Sequence, residues 1–329
     1  MQVIDMASPS KMLLKSFFAW GITVFVMIYG SYRLPLLLPG DYVTATYSSS
    51  HVVLSDAEHV RLVALRKEQG GFTGYLKRLV SFDWGRSQAL MVPVSTLIFS
   101  ALPWTLLLMG LAHLFSITLG FVAGVEIAWR RGGPMEKAAV GFTSVLEAVP
   151  EIGTGVILLV VFSLSLHWFP SAGAKTAYAN LSSWGQLLDV GHHLVLPLTT
   201  LILAYLPGNF LLTRAGMVMV MKKQFVETAR AKGLPPFHVR YAHAARNALL
   251  PLVTRFGLRI AFMMTGVVVV ETIHSYPGLG TLLFHAISMR DLPLIQGIVL
   301  FSSIMIISIN FILEFVYRRI DPRVSSYAS

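Results

Sequence analysis

The sequence predicts an all-α polytopic membrane protein with six transmembrane helices and both termini in the cytoplasm. Three observations predict it. Of 329 residues, 55% are hydrophobic and 13% charged, against about 25% charged in a soluble domain, and the mean hydropathy is +0.67. Apolar stretches long enough for a bilayer core, which takes ~20 residues, recur along the chain. The basic residues, which give a net charge of +10, collect mostly in loops between those stretches, as topology signals do. No nucleic-acid partner is therefore expected, whereas membrane lipid is. The absence of cysteine rules out a disulfide framework, a thiolate metal site and a cysteine nucleophile.

Residues 1–39 read as a cytoplasmic N-terminus and first helix. Lys11 and Lys15 precede an apolar span over 16–38 that lacks a small-residue cleavage site, so the helix is retained with its start inside. Residues 40–95 form an extracytoplasmic segment, polar and mixed in charge. It opens on the turn Leu38-Pro39-Gly40-Asp41 and carries an exposed helix near 55–69, capped by Ser55 with Glu58 three residues on. Residues 96–320 form the core. Its second span, 96–128, returns to the cytoplasm, where Arg130, Arg131 and Lys137 follow. The third, 139–169, exits to a loop over 170–193, which holds one basic residue, Lys175, and the adjacent His192 and His193. Adjacent histidines do not reach one metal without help, so a plain loop pair is expected. The fourth span, 194–220, comes back in and the fifth, 248–272, goes out. A short amphipathic helix over 281–289 lies on the outer surface, and the sixth span, 292–316, ends inside at Arg318, Arg319 and Arg323. A cytoplasmic tail, 321–329, closes the chain.

Between the fourth and fifth spans lies a cytoplasmic loop, 221–247, in which Lys222, Lys223, Arg230, Lys232, Arg240 and Arg246 stand against the single acid Glu227. Residues 222–232 read as a short helix, Gly233 falls just past its end, and Pro235-Pro236 blocks continuation; a second helix can begin at Pro236. The product is a rigid, basic helix–break–helix elbow. Charge alone makes it a loop that only orients the protein, but the order of its residues asks for more.

The chemistry that the sequence excludes is as informative. There is no Gly-x-x-x-x-Gly-Lys-Ser/Thr phosphate loop, no His-Glu-x-x-His helix and no Gly-x-Ser-x-Gly turn. Ser8 and Lys11 have a Ser-x-x-Lys spacing, but in a polar tail ahead of the first span. No catalytic residue, metal ligand or cofactor is expected.

One ordered set of motifs runs through the chain: Leu38-Pro39-Gly40-Asp41, Asp83-Trp84-Gly85-Arg86-Ser87, His193-Leu194-Val195-Leu196-Pro197, Glu227-Thr228-Ala229-Arg230-Ala231-Lys232-Gly233-Leu234, His243-Ala244-Ala245-Arg246-Asn247-Ala248-Leu249-Leu250-Pro251, Val268-Val269-Val270-Glu271-Thr272, Tyr276-Pro277-Gly278-Leu279-Gly280, Arg290-Asp291 and Asp321-Pro322-Arg323. In this order the chain resembles, over essentially its whole length, the permeases of ATP-binding-cassette (ABC) importers, specifically the dipeptide/oligopeptide/nickel branch. The resemblance implies a type I ABC importer permease fold in the inner membrane of a prokaryote, and a transport subunit rather than an enzyme. It also implies partners: a second homologous permease subunit, as a heterodimer; two cytoplasmic ATP-binding subunits; and an extracytoplasmic solute-binding protein. The elbow would be the coupling helix, with Glu227, Ala229 and Gly233 as its contact core and Phe225 and Leu234 as apolar plugs. Tyr276, Pro277, Gly278 and Gly280 would lie near the docking face for the binding protein, or form a plain external connector. Peptides are the commonest implied cargo; nickel or a metal chelate is the rival.

The chain departs from the family pattern in places. Tyr42 stands where a proline is usual, and Thr228 replaces the first alanine of a Glu-Ala-Ala pattern. More consequential are Glu147 and Glu151 in the third span and Arg255 and Arg259 in the fifth. Each pair is spaced to share one helix face, roughly 10 Å or more into the membrane. Lone charges there are costly, so an ion-pair cluster lining the translocation path is expected. It would contact a charged or zwitterionic substrate, or serve as a gate or helix staple; alternatively the arginines snorkel to headgroups while the glutamates face the pore. These charges are also what would suit the competing class, an ion-gradient-driven secondary transporter, although such folds usually carry internal repeats and none is found.

Overall fold

Helices make up every regular element among the residues that the computed structural model describes, namely 9–33, 55, 71–249, 251–252, 255–256, 259 and 267–320, the side chains of 9–15 and 314–320 excepted. In chain order they are α1 (Pro9–Arg33), α2 (Gly71–Val80), α3 (Val94–Trp129), α4 (Pro134–Ala148), α5 (Glu151–Leu158, continued by a wide π-helical turn over Leu159–Ser165) and α6 (Ser183–Val220). Then come α7 (Gln224–Ala231), the helical pieces Pro236–His238, Val239–Ala245 and Arg246–Ala248, labelled α8 together, α9 (Val268–Ile273), α10 (Leu279–Ser288) and α11 (Leu292–Ile320). The turn at 38–41, the helix expected near 55–69 and much of the fifth span lie outside the described residues.

Among the described residues, three helices are long and apolar enough to cross a membrane: α3, α6 and Leu292–Leu313 of α11. The expected third span is not one straight rod. α4 and α5 meet at 93°, because Pro150 pushes the preceding Val149 out of helical backbone (φ −79°, ψ 123°). The fourth span is longer than expected: α6 starts at Ser183, where Ser182 Oγ accepts from Gly185 N. His192 and His193 are therefore helical rather than in a loop.

The chain divides into two compact units. The first comprises Met1–Leu102, Ile260–Thr265 and Leu282–Ser329. There α1 packs along α11, with Phe17, Trp20 and Phe311 in ring contact, and Gln296 Nε2 donates to Ser31 O at 2.5 Å. Phe72 of α2 meets Phe25, Tyr29 and Tyr32. The turn before α3 is tied down by Asp291, a buried carboxylate that accepts from Ser87 Oγ (2.5 Å), Ala89 N (3.1 Å) and, at the start of α11, Leu294 N (3.2 Å). Two motifs far apart in sequence thus share one set of hydrogen bonds.

The second unit, Pro103–Arg259 and Gly266–Thr281, is built on α3 and α6. Gly120 and Gly124 share a face of α3, and a Cβ on either would strike Asn209, Phe210 or Thr213 of α6 at 2.8–3.0 Å. Small residues spaced this way let two helices approach closely. Asn209 Nδ2 donates to Ser116 Oγ, and further along Val125 and Ala128 join a buried cluster with Met217. The register 116 to 209, 124 to 213 makes α3 and α6 parallel. The bent pair α4–α5 must then carry the chain back between them, and its contacts fit that path. Glu136 near its start pairs with Arg214 towards the end of α6, Gly155 meets Thr200 midway, and Trp168 O lies 2.9 Å from His192 Nε2 towards the start of α6. Taken together, the pair is long and apolar enough to cross a membrane, with a break at its middle.

Candidate functional site

The elbow is a capped helix fastened to the ends of α3 and α6. Gly233, at φ +74°, closes α7: Gly233 N donates to Arg230 O and Leu234 N to Ala229 O. That double bond is the Schellman arrangement, which needs a left-handed residue that glycine supplies without steric cost. Val226, Ala229 and, behind them, Leu234 enter an apolar cluster with Val125, Ala128, Met217, Val239, Ala244, Ala245 and Ala248. Ala229 is 4% exposed, so it holds the elbow to the bundle and offers little to a partner. This corrects its expected place in a contact core. Leu234 is half-buried on the same cluster for the same reason. Phe225, Glu227 and Gly233 face outwards, joined by Phe237, which is 69% exposed.

Two of the elbow's arginines are engaged by α3. The guanidinium carbons of Arg230 and Arg240 lie 5.0 and 5.1 Å from the centroid of Trp129, and Arg240 also pairs with Glu126. Tyr241 Oη donates to Glu126 Oε1 at 2.8 Å; burial and that carboxylate hold its phenol above its usual pKa, so it stays a donor. Sequence reasoning missed Glu126, Trp129 and Phe237. An acid and a tryptophan at the end of an apolar span beside a basic loop were the available signal.

The four charges expected within the membrane are placed differently from expectation. The break at Pro150 falls between Glu147 and Glu151, so they do not share a helix face: Glu147 is exposed on α4 and Glu151 half-buried at the start of α5. Among the described residues no ion pair joins either glutamate to either arginine. Arg255 Nη1 donates to Gly208 O at 2.7 Å, filling space that a Cβ on Gly208 would occupy. Arg259 lies 4.7 Å over the ring of Tyr205. Both arginines are thus received by α6.

The outer turn is also reversed in sense. Tyr276, Gly278 and Gly280 are buried, and only Pro277 of that group is exposed. They close over Glu271, itself 0% exposed, rather than standing out in solvent. Its carboxylate accepts from Thr105 Oγ1 (2.6 Å), Gly280 N (2.7 Å) and Thr281 N (3.1 Å), while Leu279 N donates to Thr105 Oγ1 (2.8 Å). An anion at the first turn of α10 is favourably placed. A Cβ on Gly278 would overlap the carboxyl group, which is why glycine stands there.

Among the described residues no group of three His, Asp or Glu gathers around a metal position. His193 is instead bound to Asp189. Residues 116–326 match the family described as the binding-protein-dependent transport system inner membrane component. The chain is 32% identical to the di/tripeptide transport system permease protein DppB of Pseudomonas aeruginosa, over 95% of this chain and 96% of that one. The chain belongs to this permease family. It is also similar to the oligopeptide transport system permease protein AppB of Bacillus subtilis, at 34% identity over 92% and 94%, and to the glutathione transport system permease protein GsiC of Salmonella choleraesuis, at 32% over 88% and 90%.

As a permease of this family the chain is a multi-pass protein of the inner membrane, and a component of an importer that works with a binding protein and ATPase partners. The elbow, the Trp129 contacts and the Glu271 turn all fall within the matched residues.

Proposed function

We propose that this chain is a membrane-spanning subunit of an ATP-driven importer of peptides. It forms half of a translocation pore with a second, homologous permease, as a heterodimer. Two separate cytoplasmic subunits hydrolyse the ATP, and an extracytoplasmic binding protein delivers the cargo. The elbow is the coupling element, offering Phe225, Glu227, Gly233 and Phe237 to the ATPase. One observation carries the coupling reading: the elbow is capped, packed against α3 and α6 and charge-paired to α3 on one side while it leaves two large aromatic side chains exposed on the other. A stiff element transmits a push, whereas a loose loop would absorb it. Peptide as cargo is supported by the names of the relatives, which specify di/tripeptide and oligopeptide transport.

The test is reconstitution of the four-subunit complex in proteoliposomes with its binding protein. Uptake of a labelled peptide is expected to require ATP and the binding protein, and Phe225→Asp is expected to release the ATPase subunits while the permeases remain in the membrane. Uptake driven by an ion gradient in vesicles holding this chain alone would overturn the reading in favour of a secondary transporter. A metal ion or chelate co-purifying with the binding protein would change the cargo.

A further inference from the structure

Between α3 and α6, about 24 Å back from Trp129 and about 22 Å back from Val220 at 1.5 Å per residue, His113 and Tyr205 lie face to face. Their ring centroids are 4.9 Å apart and their planes 13° from parallel. Phe256 meets His113 edge-on at 6.1 Å, and Arg259 covers the Tyr205 ring. Since α3 has 36 residues and α6 has 38, the stack sits near the middle of two helices that are each longer than a hydrocarbon core of about 30 Å.

Three features of this cluster are unexplained by packing. His113 is 2% exposed, yet its Nε2 has no hydrogen-bond partner, a rare state for a buried polar atom. Arg259 carries a permanent charge and has no carboxylate or carbonyl partner among the described residues, only the Tyr205 face. Glu151 begins α5 immediately after the break at Pro150, and the antiparallel register that sets Gly155 against Thr200 and Glu136 against Arg214 puts it at the level of Tyr205 on α6, yet it makes no ion pair with Arg259 among the described residues. Opposite charges near each other but not joined leave a place for a molecule with both. Interrupted helices hold the cargo in secondary transporters, and α4–α5 offers the same kind of break beside this cluster.

We infer that Glu151, Arg259, Tyr205 and His113 form a binding station for the two ends of a zwitterionic peptide. Arg259 takes the terminal carboxylate, Glu151 the terminal ammonium, and His113 Nε2 one polar atom of the backbone between them. The Tyr205 ring keeps the guanidinium in place when the station is empty. This rests on the peptide-importer reading and deepens it, since it makes the membrane subunit itself sensitive to the peptide's ends.

The experiment uses the complete reconstituted importer and three labelled tripeptides: one with free ends, one C-terminally amidated and one N-acetylated. Each uptake rate is corrected for that peptide's separately measured affinity for the binding protein. Loss of a charge-assisted hydrogen bond lowers a rate by about tenfold. Arg259→Gln is therefore expected to slow the free peptide by about that factor and the amide by less than twofold, and Glu151→Gln to do the same for the free and the acetylated peptide. Arg259→Lys should keep part of the preference, and ATP hydrolysis stimulated by binding protein shows that each variant is assembled. Variants that slow all three peptides equally, or none, overturn the station while leaving the importer intact. If the wild-type complex takes up no peptide with ATP, the peptide reading itself fails and the station falls with it.

Discussion

Glu271 shows how one side chain dictates its neighbours. A carboxylate buried without a cation survives because three donors and the first turn of α10 face it. Glu271→Gln keeps the shape but turns one acceptor into a donor that meets another donor. The expected loss is about 1–3 kcal/mol, read as a lower unfolding midpoint of the purified protein, and Thr105→Val should lose less. Gly278→Ala forces a methyl into the carboxyl group and should be worse than either. Combined with Glu271→Ala it should be milder than the sum of the two changes, because the obstacle is gone; strictly additive midpoints would contradict the contact. The sequence motif marked this turn as important. It did not mark it as buried, because turns ordinarily run over the surface and a tyrosine, a proline and two glycines do not disclose which way they face.

At the scale of elements, helix existence followed from apolar length, while direction and interruption did not. The span expected over 96–128 became Val94–Trp129, and Gly233 ended its helix as its position demanded. The extra turns at the start of α6 were hidden because Gln186, Asp189 and His192 dilute hydropathy, although Ser182 was a legible cap. The bend at Pro150 was legible too, but apolar periodicity carries no information about angles, so the two glutamates were assigned one face. The elbow's excess charge read as a topology signal, whereas Arg230 and Arg240 in fact bind Trp129 and Glu126. That contact yields a prediction. Each cation–π interaction contributes about 0.5–2 kcal/mol, so Trp129→Ala and Arg240→Ala should each loosen the elbow without preventing insertion. In the reconstituted importer each should lower peptide carried per ATP hydrolysed. The double variant should cost less than the two single changes combined, because the Arg240–Trp129 contact is lost only once, while Trp129→Ala also releases Arg230 and Arg240→Ala also releases Glu126. Independent, multiplying effects would show that the clamp does not act as a unit.

For the whole molecule the decisive relation is that α3 and α6 run parallel, so the loops that follow them, with Arg130, Arg131, Lys222 and Lys223, lie at the same end. Basic short loops mark the cytoplasmic side, and α4–α5, if it crosses as one span, puts Lys175 on the opposite side. Completing a six-span topology requires residues 248–272 to cross outwards and α11 to cross back. Because the natural sequence has no cysteine, every introduced thiol is the sole one, and sidedness can be read position by position with a membrane-impermeant maleimide. In intact cells Lys175→Cys and Ser81→Cys should react, whereas Arg131→Cys, Lys223→Cys and Arg318→Cys should react only after the membrane is opened. Arg318 is the position that counts the spans. Labelling there from outside, with Lys223→Cys still protected, would leave an odd number of crossings between them and remove one helix from the topology. Labelling of Lys175→Cys and Lys223→Cys from the same side would instead make the bent pair a re-entrant loop, against the path traced by Glu136, Gly155 and His192 along α6.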